Sequence, residues 1–306
     1  MATRAGFVAL LGEPNAGKST LTNRLVGARV SAVTHKRQTT RARIRGIATW
    51  GGSQMVIVDT PGVFCPERRL ERAMTAAAWN EANGGDVVLV VVPAHRRQSA
   101  EWAHLLHRLT LLDKGRRSRI PKVLVINKVD LIKPPQLLPL AEALNGQFPF
   151  AATFMVSALR GRGLRELKDW LARAMPRGPW LYPAEQQSDV PLPVMAADIT
   201  WEKLMLRLHE ELPYALTVET GSCQECGDGA VRIEQDVYVM RESHKSMALG
   251  KGGQVVKSIS MAARQELERR LGRRVHLFLR VKLRPGWQEE AVRYENMGLR
   301  FRDGDR

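Results

Sequence analysis

The sequence of 306 residues contains no run of about 18 consecutive apolar residues, the length that a helix needs to cross a bilayer. This absence excludes a membrane-spanning protein. The three cysteines are too few for a disulfide framework and suit a reducing compartment. The N-terminal apolar stretch is short and leads straight into a glycine-rich loop, so we expect a buried strand there and not a signal peptide.

Acidic residues are scarce relative to basic ones. Asp and Glu number 31 against 47 Lys and Arg, which gives a formal net charge of +16. Such an excess favours a polyanionic partner, with nucleic acid first and an anionic membrane surface second. Composition alone does not choose between these partners and a basic surface that is merely solvated.

Closely spaced metal ligands are also scarce. Cys223 and Cys226 form a single Cys-x-x-Cys, whereas a structural zinc site normally takes four ligands from two such pairs. Glycines surround this pair, which is typical of a loop tip between strands. We therefore expect an ordinary solvent-facing loop and not a metal site.

The first 175 or so residues alternate short apolar runs, rich in β-branched residues, with segments of helical length. This alternation is typical of an α/β fold with a mostly parallel sheet covered by helices on both faces. Gly51 and Gly52 form a tight turn, so the strands around it, 43–50 and 54–58, should pair antiparallel. The predicted strands are 7–12, 55–59, 86–92, 122–127 and 153–158, and the predicted helices include 67–82, 98–112 and 163–175.

The composition changes at Met175, where a stretch with five prolines begins. Proline disfavours helices and central strands, so this stretch is interpreted as a linker. A smaller α+β pattern follows, with helices at 197–212 and 254–271 and strands at 214–220, 230–240 and 274–283. The expected division is a first domain at 1–176, a linker at 177–195, a second domain at 196–285 and a tail at 286–306.

A phosphate-loop motif follows the first strand. Gly12, Gly17, Lys18 and Ser19 fit the pattern G-x-x-x-x-G-K-[ST] between a strand and a helix, which is the context that the motif requires. Lys18 should reach the β- and γ-phosphates of a nucleoside triphosphate, and the Ser19 hydroxyl should bind Mg²⁺. The residues expected to contact the nucleotide here are Gly12, Glu13, Pro14, Asn15, Ala16, Gly17, Lys18, Ser19 and Thr20.

A second motif identifies the base as guanine. "NKVD" follows the strand at 122–127, and the carboxylate of Asp130 can accept hydrogen bonds from both N1–H and the exocyclic amine of guanine. Adenine lacks this paired donor edge and would leave the carboxylate unpaired. The Ala158 amide is expected to donate to the guanine O6. The predicted base pocket comprises Asn127, Lys128, Val129, Asp130, Ser157 and Ala158.

"DTPG" supplies the remaining phosphate contacts. Asp59 is placed to hold Mg²⁺, and the Gly62 amide can sense the γ-phosphate. Thr39 and Thr40 both lie where a mobile loop would carry a Mg²⁺-binding threonine, and Thr40 is favoured. The predicted metal ligands are therefore Ser19, Thr40 and Asp59. The further nucleotide contacts expected are Asp59, Thr60, Pro61, Gly62 and Val63.

These segments, in this order, resemble the G1 to G5 motifs of the translation-factor-like GTPases. Val63 departs from the Ras-like members, which place a water-orienting glutamine after the DTPG glycine. Relatives with a hydrophobic residue here are similar to this chain in carrying an asparagine at the position of Asn15. In several of them it helps to hold K⁺ against the phosphates; a role in loop shape alone is the alternative. The predicted catalytic residues are Lys18, Asn15, Thr40 and Gly62.

A second glycine loop lies at Gly250, Lys251, Gly252 and Gly253. It lacks the Gly-Lys-Ser/Thr ending of a nucleotide loop and occurs in the order helix, strand, strand, helix, helix, strand. This is the type II KH pattern, in which a GxxG loop clamps about four nucleotides of single-stranded nucleic acid. Val255, Val256 and Ile259 are expected to contact the bases. The predicted RNA-binding residues are Lys245, Gly250, Lys251, Gly252, Gly253, Lys257 and Arg264.

The other basic residues of this half allow two interpretations. Arg269, Arg270, Arg273, Arg274, Arg280, Lys282 and Arg284 add to the charge available for phosphate contacts. The arginines within 264–274 could instead form a solvated helix face paired with Glu266 and Glu268. A helix C-cap without a ligand is the alternative for the glycine loop itself.

The two halves together resemble the Era family of bacterial GTPases, on "GEPNAGKST", "QTTR", "DTPG", "NKVD", "EELPY", "SHKSMALGKGGQVVK" and "VKLRPGW". The resemblance implies GTP/GDP binding with Mg²⁺, GTP hydrolysis without another small-molecule substrate, and binding to small-subunit (16S) ribosomal RNA as a switch in 30S assembly. It also implies a monomer in the cytoplasm with peripheral association at the inner membrane. The alternatives are a membrane-surface GTPase, an RNA-binding protein with a non-hydrolysing site, and an ATPase or kinase.

Overall fold

The structure is a computed structural model that describes residues 3–34, 36, 44–64, 66, 68–96, 99–113, 119–208 and 212–301, apart from the side chains of 213, 214 and 296. The described residues divide into two compact units. The first runs up to Asp189 and is joined by the residues from Met297 onward, and the second is Val190–Asn296. No helix in these described ranges is long and apolar enough to cross a bilayer.

The first unit is built on a sheet whose strands, within the described residues, run in the order β2-β3-β1-β4-β5-β6. All neighbours pair in parallel except β2 and β3, which form the antiparallel hairpin expected from the two glycines. The α/β prediction with a mostly parallel sheet is therefore confirmed. The strands are β1 (Arg4–Gly12), β2 (Ile44–Trp50), β3 (Ser53–Asp59), β4 (Val87–Pro93), β5 (Lys122–Asn127) and β6 (Ala152–Met155).

Helices cover both faces of this sheet because alternate strand residues are apolar on both sides. In β1, Val8 and Leu10 join one core with α1 and α5, whereas Ala9 and Leu11 join another with α2, α3 and α4. Each parallel strand thus ends in a loop at the same edge, where ligands gather in such sheets. The helices are α1 (Lys18–Val26), α2 (Arg69–Gly84), α3 (Ala100–Asp113), α4 (Leu137–Asn145) and α5 (Leu164–Ala174).

The second unit has the helix and strand order of the type II KH pattern. Its sheet runs β7-β8-β9, with β7 antiparallel to β8 and β8 parallel to β9. Apolar residues of α6 and α8 pack on one face of this sheet. The elements are α6 (Leu192–Arg207), β7 (Leu216–Glu225), β8 (Val231–Val239), α7 (Glu242–Leu249), α8 (Gln254–Leu271), β9 (Val275–Leu283) and α9 (Ala291–Asn296).

The Cys-x-x-Cys lies differently from its predicted position at a loop tip. Cys223 is within β7, opposite Ile233, and packs partly buried against the core. The register shifts between Thr220 and Ser222, so the glycine before the cysteines is a strand irregularity and does not begin the loop. Only Cys226 adjoins the turn, and both thiols are free.

The proline-rich stretch expected as a linker is ordered against the first unit over residues 177–189. The amide N–H of Ile47 donates to the carbonyl of Gln187 at 2.8 Å. Ser188 bridges to Gly46 in antiparallel fashion, so this segment covers the outer edge of β2. The next helix then begins at Leu192, earlier than expected, because Pro193 lies in its first turn, where the missing N–H has no helical partner to lose.

Gln54 anchors this stretch from a fully buried position in β3. Its Oε1 accepts hydrogen bonds from the amides of Leu181 at 2.9 Å and Tyr182 at 3.0 Å. Its Nε2 donates to the Tyr182 carbonyl at 2.8 Å. A polar side chain inside an otherwise apolar strand is therefore the sequence signal for the docked segment.

We expect Gln54→Leu, a change of similar size, to lower the free energy of unfolding by about 2–4 kcal/mol, because it leaves two N–H groups and one carbonyl without their partner in a partly buried position. Urea unfolding of the full chain measures this loss. Gln187→Leu is the matched control, since that side chain is exposed. Equal stability of the two variants would show that Gln54 does not anchor the segment.

Candidate nucleotide site and candidate RNA interface

The phosphate loop connects β1 to α1 and takes its shape from glycines. Gly12 has a φ of 153° and Gly17 a φ of 95°, and Asn15 is also left-handed at 62°. A Cβ on Gly12 would lie 2.3 Å from the Val91 carbonyl, and one on Gly17 would lie 2.4 Å from Asn127 Nδ2. The loop thus folds closely onto its neighbours at the N-terminus of α1, a position that favours a bound anion.

Lys18 lies buried inside this loop. Its Nζ donates to the carbonyls of Gly12 and Glu13, both at 3.0 Å. Burial lowers the pKa of Lys18 to about 8, although the charges of Asp59 and Glu13 act in the opposite direction. The lysine therefore carries a positive charge at neutral pH in a place where that charge is poorly solvated, and phosphate oxygens would relieve this cost.

Two of the predicted metal ligands lie on this edge of the sheet. Ser19 lines the cleft beside the phosphate loop, and Asp59 ends β3, which neighbours β1. Hydroxyl and carboxylate oxygens are ligands that Mg²⁺ prefers. No group of three or more His, Cys, Asp or Glu among the described residues is arranged to hold a metal. The third predicted ligand, Thr40, lies outside the described residues.

The loop after β3 approaches the phosphate loop through its backbone. A Cβ on Gly62 would lie 2.9 Å from the Pro14 nitrogen, and the amide of Val63 donates to the Gly12 carbonyl at 3.0 Å. The Val63 side chain is fully buried in the core with Trp79 of α2. It does not reach the cleft, and a buried valine cannot orient a water molecule.

Asn127 joins the phosphate loop to the base pocket. Its side-chain Nδ2 donates to the Ala16 carbonyl at 2.9 Å, and its Oδ1 accepts from the Ala158 amide at 3.0 Å. The sequence predicts that this amide donates to the guanine O6, and in the structure it donates to Asn127 Oδ1. Both ends of the Asn127 amide are thus used within the protein.

Asp130 presents a carboxylate beside this bridge. Its Oδ1 is buried and accepts no hydrogen bond from the described residues. The Ser157 hydroxyl, together with the charges of Arg160 and Arg162, keeps the pKa of Asp130 below its ordinary value. Lys128, left-handed at a φ of 63°, lies next to it. An ionised oxygen that lacks a donor suits the paired N–H donors of guanine.

The cleft beside the phosphate loop is lined by some of the residues predicted to contact the phosphates and by others that no motif named. Val33, Thr34 and Lys36 belong to the segment between α1 and β2, which matches no fixed motif. The remaining lining residues are Pro14, Asn15, Gly17, Lys18, Ser19, Thr20, Thr60 and Gly62.

Two further side chains support the site from a distance, and no motif indicated them. The Ser99 hydroxyl donates to Glu13 Oε1 at 2.5 Å and also accepts from the amide of Trp102 in α3. Arg24 of α1 donates from Nε to the Ala158 carbonyl at 3.0 Å and from Nη2 to the Leu159 carbonyl at 2.8 Å. Ser99 thus connects the phosphate loop to α3, and Arg24 connects α1 to the base pocket.

The second glycine loop lies between α7 and α8. Gly250, Gly252 and Gly253 all have positive φ, at 71°, 59° and 73°. A Cβ on Gly250 would lie 2.4 Å from Val255 Cγ2, whereas Gly252 and Gly253 have nothing within 4 Å of that position. The last two glycines therefore leave space on the outer side of the loop, where a polymer backbone can approach.

The basic residues around this loop fall into two groups. Lys251, Lys257 and Arg264 are exposed, and Lys245 is half-buried near Glu242 at 3.5 Å. The others mostly pair within the second unit: Arg269 and Arg270 with Glu266, Arg273 with Glu225, Arg280 and Lys282 with Asp236, and Arg284 with Glu290. Ile259, expected against the bases, is buried in the core because α8 turns that face to the sheet.

Comparison with known proteins agrees with both halves. Residues 7–128 match a family described as "50S ribosome-binding GTPase", and residues 211–288 match the KH domain family. GTPase Era of Dinoroseobacter shibae is 56% identical over 99% of this chain and 97% of its own length. GTPase Era of Brucella suis is 54% identical over 98% of this chain and 94% of its own.

The chain belongs to the Era family of GTPases. Among solved structures, Aquifex aeolicus Era bound to GDP and AlF₄⁻ superimposes with a TM-score of 0.88 at 32% identity, over 97% of this chain and 99% of that one. Era in complex with MgGDPNP and nucleotides 1506–1542 of 16S ribosomal RNA matches with the same values. The predicted Era-type GTPase with a KH domain is confirmed.

The burial of Lys18 predicts how the folding stability of this Era-family chain depends on pH. Because the pKa of Lys18 is about 8 in the folded protein and 10.5 when unperturbed, the unfolded chain binds more protons between these values. Folding stability should therefore rise as the pH increases from 8 to 10.5.

Urea unfolding of the nucleotide-free protein and of Lys18→Met at several pH values isolates this effect. The wild type should gain about 3 kcal/mol relative to the variant between pH 7.5 and 10.5, while other titrations cancel in the difference. If the difference in unfolding free energy between the wild type and Lys18→Met did not change with pH, the lowered pKa of Lys18 would be contradicted. Loss of packing in the variant adds only a constant offset.

Proposed function

We propose that this GTPase is a GTP-driven switch that binds the 3′-terminal region of small-subunit ribosomal RNA and acts in 30S assembly. One observation carries the proposal: the fold matches over 97% of the chain an Era structure whose complex holds MgGDPNP and a 16S ribosomal RNA segment. This chain carries one site whose chemistry suits the nucleotide and another whose chemistry suits RNA, and the two sites lie on separate units. The cytoplasm, where ribosomes assemble, is the proposed location.

On the nucleotide side, the roles follow from chemistry and position. Lys18 binds the β- and γ-phosphates, the amides at the N-terminus of α1 bind phosphate oxygens, and the Gly62 amide senses the γ-phosphate. Asp130 accepts the guanine N1–H and amine, and Asn127 fixes the distance between the base pocket and the phosphate loop. GTP selectivity over ATP results from the unpaired Asp130 oxygen.

Mg²⁺ fits the oxygen ligands of this site, with Ser19 and Asp59 holding it together with Thr40 from the segment outside the described residues. When bound, it neutralises charge that develops between the β- and γ-phosphates. The protein supplies only a few oxygens, so phosphate and water would complete the ligand set.

K⁺ is proposed as a further ion at the phosphate loop. Val63 is buried and cannot orient a water molecule as a glutamine would, so hydrolysis must be assisted in another way. Asn15 lines the cleft in a left-handed conformation, and its side-chain oxygen is a suitable ligand for a monovalent cation. A cation there would take the place of an arginine finger.

On the RNA side, the GxxG loop and Lys251 are proposed to clamp about four nucleotides. Lys245, Lys257 and Arg264 add charge along the same surface. The switch requires that the GTP- and GDP-bound states differ in affinity for RNA or the 30S subunit. A monomeric state and peripheral membrane association stay predictions.

Replacing both Gly252 and Gly253 by aspartate should lower RNA affinity at least roughly 100-fold, because two negative charges would face the phosphates. GTP affinity should not change. Nothing lies within 4 Å of the Cβ position of either glycine, and aspartate is among the residues that best tolerate the positive φ found there. The double asparagine variant is the control, since asparagine has the same shape and tolerates positive φ; it should lose less.

Filter binding with the 3′-terminal small-subunit RNA and titration with a fluorescent GTP analogue give the two affinities. Loss of both ligands together, or wild-type RNA affinity in the aspartate variant, would contradict the two-site proposal.

For the ion, GTP hydrolysis should be roughly tenfold faster in KCl than in NaCl at equal ionic strength. Asn15→Gly, which tolerates the φ of 62°, should remove this difference and leave the NaCl rate unchanged. Phosphate release assays measure the rates, with omission of Mg²⁺ as the inactive control. Equal wild-type rates in the two salts would argue against K⁺.

A further inference from the structure

The excess positive charge of this chain lies almost entirely on the first unit. Residues 1–189 contain 28 Lys and Arg against 14 Asp and Glu, a net charge of +14. Residues 190–296, the unit with the GxxG loop, contain 16 basic and 15 acidic residues, a net charge of +1. The second unit therefore does not account for the total of +16, and a polyanion that this charge attracts should meet the first unit.

The two helix layers of the first unit differ in charge. On one face of the sheet, α2, α3 and α4 contain three basic and five acidic residues. On the other face lie α1 and α5, and loop 157–163 leads from β6 into α5. These three elements form a basic layer, in which Asp169, one of only two acidic residues, already accepts a hydrogen bond from Trp50 Nε1 at 2.7 Å. Besides the buried Lys18, its basic residues are Arg24, Arg160, Arg162, Arg165, Lys168 and Arg173.

Loop 157–163 is held in one conformation by hydrogen bonds. The Ser157 carbonyl accepts from the amides of Gly161 at 2.7 Å and Arg162 at 3.2 Å, and the Ser157 amide donates to the Arg162 carbonyl at 3.1 Å. Gly163 is left-handed at a φ of 69°, and a Cβ there would lie 2.3 Å from the last carbonyl of β6. The loop thus presents Arg160 and Arg162, both exposed, on a preorganised backbone.

The arginines at this end of the basic layer are available to an outside anion. Within the described ranges, Arg160, Arg162 and Arg165 are exposed and form no ion pair with a carboxylate. By contrast, Arg273 of the second unit pairs with Glu225 at 2.8 Å. An exposed arginine without a carboxylate partner gives up little when it binds a phosphate, to which its planar guanidinium can donate two parallel hydrogen bonds.

The neighbouring side chains favour RNA phosphates over unpaired bases or lipid. The rings of Phe154 and Trp170 are half-buried and pack edge to face, with centroids 6.2 Å apart, so they offer no open face to a base. Among the described large apolar side chains of this layer only Leu159 is exposed, whereas a membrane surface needs a wide apolar face. Arg165 and Arg173 lie eight residues apart on α5, about 12 Å along its axis, which is about three phosphate steps of one strand.

We propose that the basic layer of the first unit is a second RNA-binding surface, which binds the phosphate backbone of double-stranded RNA and does not read its sequence. A duplex fits this surface because its phosphates face outward while its bases are stacked inside. The inference goes beyond the proposed function, since it uses neither the GxxG loop nor a single-stranded segment. It gives the GTPase unit an RNA contact of its own.

The test uses the full chain, saturated with GDPNP, and a blunt-ended RNA duplex of about 20 base pairs. Arg162→Gln with Arg165→Gln should lower duplex affinity roughly tenfold and reduce the slope of log K against log salt by about 2, because two phosphate contacts are lost. Arg108→Gln with Arg119→Gln is the matched control, since both arginines are exposed on the same unit outside the basic layer. It removes the same charge and should bind within about twofold of the wild type.

Fluorescence anisotropy over a range of KCl concentrations gives the duplex affinities, and thermal unfolding checks that both variants fold. Equal losses in the two variants would show that only net charge matters and would overturn the surface proposal.

Two further results would also overturn it. If Gly252→Asp with Gly253→Asp abolished duplex binding, the duplex would lie on the second unit. If Arg162→Gln with Arg165→Gln lost binding to phosphatidylglycerol vesicles and kept the duplex, the surface would bind lipid instead. The proposed function fails separately, if the aspartate variant keeps its affinity for the 3′-terminal small-subunit RNA.

Discussion

The nucleotide site depends on one side-chain amide. Asn127 donates a hydrogen bond to the phosphate loop at 2.9 Å and accepts one from the loop after β6 at 3.0 Å. Its side chain is almost fully buried. These loops leave different strands of one sheet, and a planar amide between them sets the spacing of phosphate and base subsites. Because both hydrogen bonds are inside the protein, the pocket has its shape before the ligand adds contacts.

Next to this bridge the protein buries a charged group where it is poorly solvated. Among the described residues the buried Lys18 ammonium donates hydrogen bonds to two carbonyls, and its lowered pKa reflects the cost of that burial. The same groups become favourable once phosphate oxygens are close. Stability and function are thus in tension at one residue, which is common where binding sites are preorganised.

Both glycine loops depend on the backbone freedom of glycine, but for different reasons. In the phosphate loop, Gly12 and Gly17 are required because the Val91 carbonyl and the Asn127 side chain lie where a Cβ would be. In the KH loop, Gly252 and Gly253 face open space, and only their φ values favour glycine. The first loop closes around a small ligand, and the second remains open to a polymer, which explains why one chain carries two glycine loops without duplicating a site.

Contiguous patterns in the sequence by themselves determined the strands of both sheets, the phosphate loop, the guanine motif and the KH order. Each depends on neighbouring residues: periodicity selects strand or helix, and glycine selects loop geometry. Tertiary structure decided the rest, including the docking of 177–189 on Gln54 and the Ser99–Glu13 contact. Packing alone brings such distant residues together, and no local pattern records which partner a side chain meets.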